Sequence, residues 1–166
     1  MKVLRKFESY DYEFLFNLRN NLEIQTLLMS SAKPYSKREF VLWLEQKREL
    51  PLFKGILNPQ GELVGLVQIY DFNTKIGSAY LSILIVETHQ RNGNGLRAMS
   101  ELEVEAKKMG ITKLLLNVRS DNEKAIWFYI KCGFTLVKEI ENFYATGDLK
   151  YNAQVFQKEI EGQQSI

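Results

Sequence analysis

The chain has 166 residues, 45% of them hydrophobic, which suits one compact domain with a real core and requires no second one. Lysine and arginine (22) nearly balance aspartate and glutamate (20), and the two signs are interspersed, so the basic stripe of a nucleic-acid binder is absent. A lone cysteine, Cys132, excludes an internal disulfide and a cysteine-rich zinc site, and it fits a reducing compartment.

The start, Met1-Lys2-Val3-Leu4-Arg5-Lys6, carries no secretory apolar core, and no run reaches membrane-spanning length, so the expected location is the cytoplasm. Residues 2–7 read as a first strand. Ser9 is expected to cap a helix whose apolar face is Phe14, Leu15, Leu18 and Leu22, followed by a linker over 25–35. Ser36-Lys37-Arg38-Glu39 has the form of a capping box, and Phe40, Trp43 and Leu44 keep helical spacing, predicting a second helix to about Arg48. Pro51 breaks it. Residues 52–57 and 63–70 read as strands joined by the turn Asn58-Pro59-Gln60-Gly61, and 71–77 turn back again, so the middle of the chain is an antiparallel meander.

The run Tyr80-Leu81-Ser82-Ile83-Leu84-Ile85-Val86 is apolar on both alternations, as a central strand covered on two faces should be. Glu87-Thr88-His89 and then Gln90-Arg91-Asn92-Gly93-Asn94-Gly95 follow it. A helix comes next, with Leu96, Met99, Leu102, Ala106 and Met109 at helical spacing and Gly110 as its stop. This order of strand, turn and helix aims unpaired backbone N–H groups and the positive end of a helix dipole at one spot. Two glycines let an anion approach closely, and Arg91 adds charge. The glycines alone leave three readings open. A P-loop lacks its G-K-[ST] ending, since Leu96-Arg97 follow Gly95. A dinucleotide fold expects its glycines early and an acid about twenty positions on, where Val118-Arg119 stand. Another kind of pyrophosphate cradle is the third.

Residues 113–118 form a short strand that a crossover helix sets parallel to the central run. Asn122 caps a helix over 123–131 whose Ala125, Ile126, Tyr129 and Ile130 share a face, and Gly133 ends it. Residues 134–140 and 153–159 pair as a last hairpin across the loop 141–152. The expected domain is 1–161, with 162–166 a frayed tail.

Gln90-Arg91-Asn92-Gly93-Asn94-Gly95 resembles the Q/R-x-x-G-x-G/A signature of the GNAT superfamily of acetyl-CoA-dependent N-acetyltransferases. Asn122, Ala125, Tyr129, Lys131 and Gly133-Phe134 match its N-x-x-A-x-x-x-Y-x-K-x-G-F pattern. The resemblance implies an α+β fold: a mostly antiparallel central sheet of about seven strands with one parallel central pair, flanked by about four helices. It also implies that Gln90, Arg91, Asn92, Gly93, Asn94, Gly95 and Leu96 hold the pyrophosphate of coenzyme A. Ile85 and Val86 would offer strand backbone to the pantetheine arm and to the thioester carbonyl, and Asn122 would touch that arm.

Tyr129 falls where the family places a general acid for the departing thiolate. Some relatives, including those that acetylate ribosomal-protein N-termini, carry a glutamate where Asn117 stands here, so the base is expected elsewhere. Glu87 with a water relay is the candidate, set against a simply solvated strand-end acid. His89, the sole histidine, reads as a surface residue with no partners for a metal, and Cys132 as a packing residue.

The implied function is transfer of acetyl from acetyl-CoA to a primary amine by direct attack, with no metal, no nucleic acid and no membrane, and with room for a homodimer. The acceptor pocket would come from 21–35 and 141–151. The stretch from Leu18-Arg19-Asn20 to Met29, with Trp43 downstream, is similar to members that act on amino sugars or nucleotide-linked amino sugars, and also to members that modify protein N-termini. A small-molecule acceptor is expected first, a protein N-terminus second, and a non-catalytic coenzyme A-binding module is the reading from another class.

Overall fold

Alternating apolar residues and glycine-bearing turns produce a run of antiparallel strands, and the computed structural model describes residues 2–160 of the chain. The tail expected over 162–166 lies outside the described residues. Seven strands form one sheet in the order β1-β2-β3-β4-β5-β7-β6, with five α-helices, one more than expected. The residues cluster into two compact units: 2–7, 50–115 and 158–160 in the first, and 8–49 and 116–157 in the second.

In the first unit, β1 (Leu4–Arg5), β2 (Leu52–Leu57), β3 (Leu63–Asn73) and β4 (Ser78–Ile85) are antiparallel neighbours. The register Ser78↔Lys113 to Tyr80↔Leu115 makes β4 parallel to β5 (Lys113–Arg119). The connection is α4 (Asn94–Lys108), whose Ala98, Met99, Leu102 and Ala106 are buried. Gly110 ends it at φ +87°, and Glu101 on the same helix takes the N–H groups of Val3 (3.2 Å) and Leu4 on β1. Ala79 and Leu81 of β4 are buried while its other residues are half-covered, so the central strand alternates more than its sequence suggests.

In the second unit, α1 (Tyr12–Arg19) is preceded by a 3-10 turn at Ser9–Asp11. Ser9 is not its cap. Glu8 and Asp11 form the box instead, the Asp11 carboxylate accepting the Glu8 N–H at 2.8 Å, so the acid three positions on outcompetes the hydroxyl. The first expected helix ends at Arg19, and a separate α2 (Leu22–Leu27) takes Leu22 and runs through 25–27 of the expected linker, capped by the Asn21 side chain accepting from Ile24 N–H at 3.1 Å. Met29, at φ +55°, then turns the chain out of this helix.

The capping box at Ser36 opens α3 (Lys37–Arg48): Ser36 Oγ accepts from Glu39 N–H and Glu39 from Ser36 N–H, both at 3.2 Å. Ser36→Ala removes one half of it, so thermal unfolding should show a loss of about 1 kcal/mol, or a Tm lower by roughly 2–4 °C. An unchanged Tm would mean that the box contributes nothing.

Asn122 caps α5 (Glu123–Lys131) as expected, accepting from Ala125 N–H at 3.3 Å. The final hairpin is longer than its sequence indicates. β6 (Thr135–Thr146) and β7 (Leu149–Glu159) run through most of the expected loop 141–152, with a bulge between Ile140 and Tyr144 where Asn142 sits at φ +51°.

Candidate active site

In the first unit the site is built from the end of β4. A 3-10 turn at Glu87–His89 leads into Gln90 and the turn that starts α4. Arg91 at φ +65° and Gly93 at φ +79° are both left-handed. That conformation is natural for glycine and unusual for arginine. The side chains of the turn tie its carbonyls back into the protein: Gln90 Nε2 donates to Ile85 O (2.8 Å), Asn94 Nδ2 to His89 O (3.0 Å) and Arg97 Nη2 to Asn92 O (3.3 Å). Arg97 also bonds the Asn94 side chain. Those carbonyls are thus occupied, while the N–H groups of the first helical turn lack intrahelical partners. A helix of 15 residues stands behind them. Arg97 is the residue that the sequence did not single out, although its place one turn after Gly93 was visible.

The two strand residues expected to offer backbone differ. Val86 N–H donates to Val64 O at 2.9 Å, and Gly65 pairs with Ile85 in the register. Strand alternation then points the N–H of Ile85 away from β3, so of the two it is the donor directed to the opposite side of β4. Glu87 is exposed, and His89 is half-buried beside it. Also in this unit, the Tyr70 phenol lies against Tyr80, with ring centroids 5.6 Å apart. Burial first, then Asp71 and Tyr80, pushes its pKa up to about 12, so it holds its proton.

In the second unit Tyr129 is buried on α5, with Phe128 and Phe134 ring centroids 5.5 and 6.0 Å away, both at edge-to-face angles. Asn122 is half-buried with its Oδ1 used for capping, and Asn117 is half-buried on β5. The two segments expected to line the acceptor pocket meet here. Tyr144 on β6 donates its hydroxyl to Ser30 O at 2.6 Å, and Ser30 N–H donates to Gln25 O at 2.9 Å. Asn20 clamps the main chain of Tyr35 from both sides, accepting its N–H at 2.7 Å and donating to its carbonyl at 3.0 Å. Arg19, only 2% exposed, stacks on that same Tyr35 with Cζ 3.5 Å from the ring centroid.

Among the described residues no group of three or more His, Cys, Asp or Glu side chains could hold a metal ion, and no helix is long and apolar enough to cross a membrane.

The family model described as the acetyltransferase (GNAT) family matches residues 18–134. The chain is 28% identical over 152 residues to the spermidine N(1)-acetyltransferase of Vibrio cholerae, covering 87% of this chain and 86% of that protein. It is 27% identical to the Escherichia coli K12 protein of the same name, covering 89% and 80%. Among solved structures, the spermidine N-acetyltransferase from Vibrio cholerae in complex with CoA and spermine superposes with a TM-score of 0.83 at 23% identity, over 95% of this chain and 94% of that one. The ribosomal-protein-alanine N-acetyltransferase from Brucella melitensis does so with 0.78 at 18%, over 95% and 99%.

Proposed function

This chain belongs to the GNAT family of acetyl-CoA-dependent N-acetyltransferases, and from that premise we propose that its acceptor is a small molecule bearing a primary amine, such as an amino sugar or a nucleotide-linked amino sugar. The observation that carries the acceptor reading is the make-up of the acceptor side. Across 21–35 and 141–151 the carboxylates are Glu23, Glu141 and Asp148, set against Lys33 and Lys150, with the buried Arg19 adjoining. A polyamine carries several ammonium groups and needs a denser acidic lining than this. A second reading is favoured by the curated relatives, which are spermidine N(1)-acetyltransferases over most of their length. Acetylation of a protein N-terminus is the weaker reading, because β5 offers the amide of Asn117 rather than a carboxylate.

The proposed roles follow the chemistry of the step. The turn residues Gln90, Arg91, Asn92, Gly93, Asn94, Gly95 and Leu96 bind the pyrophosphate of acetyl-CoA, and Asn122 its pantetheine arm. The neutral amine nitrogen attacks the thioester carbon, and the Ile85 N–H stabilises the charge growing on the carbonyl oxygen. As the C–S bond breaks, Tyr129 gives its hydroxyl proton to the thiolate sulfur, and the proton lost by the amine passes to water, with Glu87 the candidate relay. An acceptor screen that follows thiol release tests the acceptor class. Turnover of amino sugars with none of spermidine supports the first reading, and the reverse supports the second.

The proton step has its own signature. A lysine-like amine has a pKa of about 10.4, so roughly one molecule in a few thousand is neutral at pH 7. With no strong fixed base, kcat/KM should rise with pH and level off near the acceptor's own pKa, the plateau moving down for an amino sugar of lower pKa. The measurement is that profile for two acceptors of different pKa, in wild type and in Glu87→Gln. An inflection that stays put between acceptors and vanishes in the variant would make Glu87 the base and remove the water relay.

A further inference from the structure

Arg19 is the last residue of α1 and is 2% exposed. Its Nε and Nη1 are buried and have no hydrogen-bond partner, and no carboxylate pairs with it among the described residues. Burying a guanidinium with unpaired donors is costly, and proteins keep such groups paired unless something else meets them. The local construction holds it in place nonetheless. Tyr35 is stacked on the guanidinium, and Tyr35 is itself fixed by two hydrogen bonds with Asn20, the residue after Arg19, which donates one and accepts the other. Stacking on an aromatic face orients the plane of the cation and makes no use of its edge donors.

A second cation is close by. Lys47 on α3, over the Trp43 ring at 5.3 Å, has its pKa lowered first by burial and then by Arg19. Lys47 thus stands within electrostatic reach of Arg19 and adds positive charge to its surroundings.

We infer that Arg19 binds an anionic oxygen group, a phosphate or a carboxylate, carried by the amine acceptor. This rests on the reading of 21–35 as the acceptor side. It sharpens the substrate class from any small amine to an amine that also bears an oxyanion, and it sets this chain apart from enzymes whose acceptor is purely cationic. Guanidinium N–H donors suit both oxyanions, and an opposite charge offsets the cost of burying the cation.

The test compares acceptors that share an amine and differ in the anion: glucosamine 6-phosphate against glucosamine, and β-alanine against propylamine, with spermidine as the cationic control. These are measured with wild type, Arg19→Lys and Arg19→Met. Wild type should prefer the anionic member of at least one pair by about tenfold or more in kcat/KM, Arg19→Lys should keep part of that preference, and Arg19→Met should lose it. The pair that responds identifies phosphate or carboxylate as the group. No preference in either pair, or a preference that survives Arg19→Met, overturns the inference, and turnover of spermidine alone overturns it while leaving the N-acetyltransferase reading intact.

Two readouts do not need turnover. Arg19→Met should melt at or above wild type, because an unpaired buried charge is gone, whereas a large fall would make Arg19 a structural residue and overturn the inference. With the Gln90–Leu96 turn filled by saturating coenzyme A, inorganic phosphate at about 10 mM should raise the melting temperature of wild type and leave that of Arg19→Met unmoved; equal shifts in the two proteins overturn the inference even if no acceptor has been found.

Discussion

Gly93→Val should abolish coenzyme A binding while the protein stays folded. Gly93 sits at φ +79°, and a Cβ there would lie 2.9 Å from Arg97 Nη1. A β-branched residue resists that φ, by about 1–2 kcal/mol for the left-handed conformation alone, so the turn must re-form around it. Re-forming displaces the Arg97 guanidinium, which bonds the Asn92 carbonyl and the Asn94 side chain. Wild type should bind coenzyme A in the micromolar range, on the order of −8 kcal/mol, and the variant at least about a hundredfold more weakly. Calorimetry measures the loss, and circular dichroism with a thermal melt checks the fold. A folded variant that binds as wild type does would remove this turn from the cofactor site.

Tyr129→Phe should keep the fold and the affinity for coenzyme A and lower kcat by roughly a hundredfold, the usual scale for a lost general acid. Affinity and fold persist because what the ring contributes to packing is its area against Phe128 and Phe134, and phenylalanine supplies the same area. The comparison requires an acceptor that wild type turns over well, with thiol release followed at saturating acetyl-CoA. Unchanged kcat would assign the hydroxyl no part in the reaction.

The elements that the sequence announces most clearly are those closed by local chemistry. Ser36 and Glu39 mark the start of α3, Asn122 the start of α5, and Gly110, at φ +87°, and Gly133, at φ +91°, the helix ends. Each is a short-range pattern with one low-energy solution. The strand β2 between Pro51 and Asn58 was legible for the same reason. The last hairpin was legible over 134–140 and 153–159, but its extension through the expected loop was not, because Glu141 to Tyr151 mixes charged, aromatic and small residues without alternation. What sustains pairing there is the bulge at Asn142, held by Asn142 N–H donating to Asn152 Oδ1 at 2.9 Å, and this joins residues ten apart. Helix α2 had a signal in Asn21 that one helix running through Leu22 left no place for.

The turn from Gln90 to Leu96 was legible as an anion cradle, yet its supporting Arg97 was not singled out, since a charged residue inside a helix looks like surface. Arg19 was hidden in the same way. Leu15 and Leu18, both buried on the same helix, place it at the inward position of an apolar stripe, and that spacing, rather than its charge, was the clue to its burial.

The way the backbone passes between the two compact units bears on how the protein is made. It crosses from one to the other after residues 7, 49, 115 and 157, so the first unit draws on three separate stretches and the second on two. In the first unit, β1 must wait for β2, some fifty residues later, and Ile160 N–H reaches Thr112 O at 2.8 Å. Neither unit is complete until residue 157 has been made, so little of this sheet can settle before then. Contacts so distant along the chain also slow folding once it begins. No single cut yields either unit as a continuous fragment, and loss of residues 151–160 would take nine of the eleven residues of β7.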